Sequence, residues 1–122
     1  MRGRYWVAAA TALAIAAPAG AAMTVGTFVT RANALRSMGV GAVLSPDFPV
    51  LRDEAKAASS QLKAERAARV AAGKPPIACI PEGQSLGIEE MLDGLNALPR
   101  AYRNRPLKDG YARVLAQRFP CR

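Results

Sequence analysis

Two cysteines, Cys79 and Cys121, are the whole thiol inventory of this 122-residue chain, and no other feature constrains its fold as much. In an oxidising compartment an even cysteine count in a small domain reads as a disulfide, and two cysteines allow only one intramolecular pairing. Closing a loop of roughly forty residues stabilises by about 4 kcal/mol in the chain-entropy description, a large share of a small domain's total. The last residues of the chain must then lie beside a segment well before them. A reactive thiol would need an activating neighbour such as histidine, and the chain contains no histidine.

The first residues decide the compartment. Residues 1–4 carry Arg2 and Arg4 and no acid, residues 5–17 are apolar except for Thr11, and Pro18 stops the run. Ala19-Gly20-Ala21 places small residues where signal peptidase requires them, with Gly20-Ala21-Ala22 as the alternative frame. This is the layout of a cleavable secretory leader over residues 1–21, so the exported, periplasmic chain is expected to start at Ala22 or Met23. The rival is an uncleaved membrane anchor, since about eighteen apolar residues can span a bilayer. Alanine dominates this stretch, however, and alanine anchors weakly. No cysteine lies near the cleavage site, which removes lipid attachment there.

What remains, residues 22–122, is long enough for one domain with one core and too short for two. Seventeen basic residues against nine acidic ones give the full chain a net charge of +8, reduced by two when Arg2 and Arg4 leave with the leader. An exported basic domain meets acidic proteins, anionic headgroups or cell-wall polymers rather than nucleic acid. Membrane contact through a spanning segment would require the leader to be retained.

Apolar residues recur at helical intervals along most of this domain. Val25, Phe28, Val29, Ala32, Leu35 and Met38 share one face of a first helix, which Thr24 can cap and Gly39 can end. Residues 39–45 read as a flexible connection. Ser45 and Pro46 introduce a second helix running to residue 72, with Pro49 in its first turn or postponing its start. That helix carries a thin stripe of Leu51, Ala55, Ala58 and Leu62, with Glu65 one turn before Arg69. Gly73-Lys74-Pro75-Pro76 stops it, and residues 77–83 run extended. Ser85 can cap a third helix with Ile88, Met91, Leu92, Leu95 and Leu98 on its apolar face. Pro99 ends it, and Pro106 opens a fourth helix with Leu107, Tyr111, Val114, Leu115 and Phe119 inward and Asp109 set to pair with Arg113. No segment alternates as a strand does. The expected fold is therefore all-α, a small bundle of about four helices whose C-terminal helical hairpin is closed by the Cys79–Cys121 disulfide.

Chemistry is harder to find. Without histidine, neither a serine triad nor a Cys-His pair can be assembled, and histidine-ligated zinc is impossible. No glycine-rich phosphate loop follows a strand. Glu89, Glu90 and Asp93 cluster in the first half of the third helix, where its dipole favours acids, and catalytic carboxylates would need a cleft to shift their pKa values. No catalytic residue, metal or cofactor is expected. The best candidate docking element is the connection between the third and fourth helices, where Tyr102 stands among Arg100, Arg103 and Arg105, joining an aromatic anchor to a basic cluster on an exposed loop.

Several segments together carry a resemblance. Cys79-Ile80-Pro81-Glu82-Gly83, a short leucine-bearing helix, the break at Leu98-Pro99 and the closing Arg118-Phe119-Pro120-Cys121 resemble the Rap/Tai-type immunity family. So do Met23-Thr24-Val25-Gly26-Thr27-Phe28 and the Ala71-Ala72-Gly73-Lys74-Pro75 approach to Cys79. The resemblance implies a small exported helical protein that binds a peptidoglycan amidase delivered by type VI secretion and blocks its active site, often as a dimer. It implies that Cys79 and Cys121 form the family's second disulfide, with Pro81, Gly83 and Pro120 shaping the chain around it. The family's other cysteine pair, joining the first two helices, has no counterpart: Thr30, Arg31 and Ala32 stand where one cysteine would fall. Its tyrosine-glycine motif is also missing from Leu62-Lys63-Ala64-Glu65-Arg66. The expected function is an exported immunity-like protein that occludes an amidase effector or similar toxin, without turnover. The alternative is a non-immunity envelope protein whose basic surface associates with anionic membrane or wall polymers.

Overall fold

The computed structural model describes residues 22–122; the expected leader, residues 1–21, lies outside them. The first helix, α1, spans Val25–Ser37, and its N-cap Thr24 accepts a hydrogen bond from the Thr27 amide at 3.2 Å. Gly39 ends it with a φ of 62°, in the left-handed region that glycine enters without steric cost. Residues Gly39–Leu44 are not the irregular connection the sequence led us to expect. They wind into a 3₁₀ helix with no buried residue. Local bonds such as Ser45 N to Ala42 O at 3.0 Å satisfy part of this backbone.

The second helix, α2, spans Asp47–Ala71. Pro49 sits in its first turn, where a missing N–H breaks no bond, and Ser45 Oγ accepts from the Asp47 amide at 3.2 Å. Leu51 and Ala58 are buried, with Ala55 and Leu62 packed beside them, so the thin apolar stripe is the seam. Gly73, at a φ of 74°, turns the chain away.

The third helix, α3, covers Ile88–Asn96 and begins later than Ser85 would place it, with Gly87 at the N-cap and no side-chain cap. Met91, Leu92 and Leu95 are buried as the periodicity requires, but Ile88 is 76% exposed. As the first helical residue it lies a turn short of the packed face. The fourth helix, α4, covers Leu107–Arg118 and lies against the other three. Leu107 is the most deeply buried large side chain, at 1% exposure, and Tyr111 meets Phe28 edge to face at 6.3 Å between ring centres. Two glycines allow this close packing. A Cβ on Gly94 would lie 2.5 Å from Val114 Cγ1, and one on Gly110 would lie 2.7 Å from Val25 Cγ2.

Two features lock the ends together. The Cys79–Cys121 disulfide, 5.0 Å between Cα atoms, joins the approach to α3 to the end of α4, and Cys79 N donates to Phe119 O at 2.9 Å. At the other end of the bundle, Thr24 and Pro106 form an isolated antiparallel bridge, and Leu107 N donates to Met23 O at 2.9 Å. Among the described residues there is no strand beyond that bridge.

The expected one-turn ion pairs do not form. Glu65 pairs with Lys108 on α4 instead of Arg69, whose Nε donates to Pro75 O at 2.8 Å. Asp109 and Arg113 make no ion pair among the described residues. An exposed pair one turn apart contributes only a few tenths of a kcal/mol, roughly 0.2–0.5, so any better-placed partner displaces it.

Candidate functional site

Arg100, Tyr102, Arg103 and Arg105 lie in the connection between α3 and α4, which begins as the 3₁₀ turn Arg100–Tyr102. Its backbone is committed to the fold. The Arg105 carbonyl accepts from Val25 N at 2.9 Å and the Arg103 carbonyl from Gly26 N at 3.0 Å, supplying two of the otherwise unpaired amides at the start of α1. Gly26 permits this approach, since a Cβ there would lie 3.1 Å from the Arg103 carbonyl oxygen. The Arg105 guanidinium stacks over the half-buried Tyr102 ring, 4.7 Å from its centre. The three arginines are exposed, and the turn that carries them is held rigidly.

The acidic cluster on α3 does more than match a dipole. Arg36 of α1 reaches Glu89 at 2.8 Å and Asp93 at 3.0 Å, and Arg118 of α4 approaches Glu90 at 3.7 Å. These carboxylates fasten α3 to both neighbours. A further ion pair, Arg31 to Asp47 at 2.5 Å, joins α1 to the start of α2, the two helices that the resemblance would link by cysteines. The hydrogen bond that Arg31 donates to Asp47 raises the pKa of its guanidinium, with desolvation opposing.

A wide concavity lies elsewhere. Between α2 and residues 76–88 runs an open groove of about 960 Å³. Leu62, Met91 and Leu115 contribute to its lining from three helices, Ile77 and Ile80 line the side formed by the disulfide-anchored segment, and Ile88 at the start of α3 continues that side. The α2 side bears Arg52, Lys56, Lys63 and Arg66, with Ser59 between them. Tyr111 also lines the groove, and burial pushes its phenol above the ordinary tyrosine range. Nearby, the hydrogen bond to Glu65 raises the pKa of the Lys108 ammonium.

Reading the sequence for its apolar face alone missed this groove. Its signals were present: a second, basic stripe on α2 beside the apolar one, and isoleucines in a segment too rich in proline and glycine to bury them in a helix. Cys79 and Cys121 act here by holding that segment against α4.

Among the described residues, no group of three histidine, cysteine or acidic side chains is placed to hold a metal ion, and no helix is long and apolar enough to cross a membrane. Comparison of the chain with known protein families, with curated proteins and with solved structures finds no match. The likeness to the Rap/Tai-type family thus rests on the residues quoted for it.

Proposed function

We propose that this chain is an exported, periplasmic binding protein of the immunity type, which inactivates a peptidoglycan amidase or similar toxin by stoichiometric occlusion of its active site. The observation that supports this reading is the groove of about 960 Å³, framed by a helix on one side and a disulfide-anchored segment on the other. A surface held in place before contact loses little conformational entropy when a partner arrives. The rigid Arg100, Tyr102, Arg103 and Arg105 turn offers a second contact region of the same kind. The test is titration of the purified protein into a peptidoglycan amidase encoded beside it, with hydrolysis of cell-wall sacculi as the readout. Inhibition complete at one binding protein per amidase supports the proposal; undiminished hydrolysis with the binding protein at about 10 μM, roughly tenfold above a micromolar Kd, refutes it.

A specific observation favours the second reading, association with the envelope. Met38, Val40, Val43 and Leu44 are exposed together around the Gly39–Leu44 turn, with Val40 at 96%. An apolar tip on a basic protein suits an anionic membrane surface. Salt-sensitive cosedimentation with anionic vesicles, lost in Val40→Asp, would select this reading over the first.

A further inference from the structure

Arg52, Lys56, Ser59, Lys63 and Arg66 follow one another along α2 at alternating intervals of four and three residues. Residues at those intervals lie one above another on a helix, so the four cations form a line with Ser59 in its middle. The line spans four turns, about 21 Å. All five residues border the groove, and Lys56, Lys63 and Arg66 make no ion pair among the described residues. Arg52 lies 3.9 Å from Asp53, and Glu65, which also borders the groove, is engaged by Lys108. Across the groove the chemistry changes: Ile77, beside the disulfide, and Ile88, at the start of α3, are 48% and 76% exposed, with Glu82 the acid in that part of the lining.

We propose that the groove seats an acidic amphipathic helix of a protein partner. This deepens the binding-protein reading above and rests on it. A helix lying along the groove presents carboxylates once per turn, the same interval as the cations on α2, while its adjacent apolar face covers Ile77 and Ile88. An anionic lipid carries its charge at one end and matches one cation of the line. A second copy of this chain is a poor occupant, because its acidic helix α3 has only nine residues and its Glu89, Glu90 and Asp93 are already held by Arg36 and Arg118.

The experiment measures fluorescence anisotropy of a labelled synthetic helix of about eighteen residues, long enough for the four turns. Glutamates run along one edge at three- and four-residue intervals, with leucines on the adjacent face. A scrambled peptide of the same composition and dodecanoate serve as competitors. The expected result is saturable one-to-one binding of the patterned peptide, weakened roughly tenfold or more in Lys63→Glu/Arg66→Glu and in Ile88→Asp. It should be unchanged within about twofold in Arg113→Glu, a charge reversal at a residue outside the groove lining. No binding, equal binding of the scrambled peptide, displacement by dodecanoate, or equal loss in Arg113→Glu overturns the proposal. Amidase inhibition is read without this peptide, so failure here leaves the occlusion reading to stand or fall by its own test.

Discussion

Gly94 and Val114 show how much a single missing atom decides in this bundle. Val114 is buried and β-branched, with one strongly preferred rotamer in a helix, so it cannot swing away from a new methyl group 2.5 Å from its Cγ1. Gly94→Ala should destabilise the protein by about 1–3 kcal/mol in urea unfolding, although alanine is the better helix former by about 1 kcal/mol. Gly41→Ala, where a Cβ meets nothing within 4 Å, should stay within about 0.5 kcal/mol of the parent. Tyr111 makes a second prediction, through pH. Burial raises its folded-state pKa, so its contribution to stability is complete below the unfolded value near 10 and is lost as pH rises through the folded value. Lys108, raised by Glu65, acts with the same sign in the same alkaline window. Tyr111→Phe should therefore flatten the fall in urea midpoint above about pH 10 while leaving a smaller fall in place; an unaltered alkaline limb would show that Tyr111 does not couple to folding.

The helices were legible for reasons that differ from one to the next. The apolar stripe of α1, Thr24 before it and Gly39 after it agree with one another, and so do Pro106 and the inward set Leu107, Tyr111 and Val114 of α4. Ile88 was misplaced because periodicity marks a face without saying how far a neighbour extends along it. The ion pairs of Glu65 and Arg36 run to other helices, and spacing within one helix does not disclose such partners. Nor could the groove be read from any single element, since its two sides come from separate segments joined through Cys121. That covalent join sets the expected order of opening. Cys79→Ser with Cys121→Ser should cost about 4 kcal/mol and free the isoleucine-bearing wall. In the intact protein, the mostly exposed last turns of α2, residues 64–71, should exchange their amides before those of α4. Hydrogen exchange resolved by residue checks this, and earlier exchange in α4 would contradict it.

For the molecule as a whole, the proposed export makes a plain prediction: intact mass of the secreted protein should correspond to a start at Ala22 or Met23, with no thiol open to alkylation before reduction. The bonds around Met23 also bear on how such a chain comes into being. Met23, Val25 and Gly26 find their backbone partners in Leu107, Arg105 and Arg103, from the far end of the sequence. A ribosome adds about 5–20 residues each second, so the first helix emerges on the order of seconds before the carbonyls that complete its start. During that interval it has neither its cap from the α3–α4 turn nor Leu107 and Tyr111 to pack against, and contacts so distant in sequence form slowly in any case. The nascent chain is thereby slow to close, a property that would suit the proposed export by leaving the chain threadable until its last residues have been made.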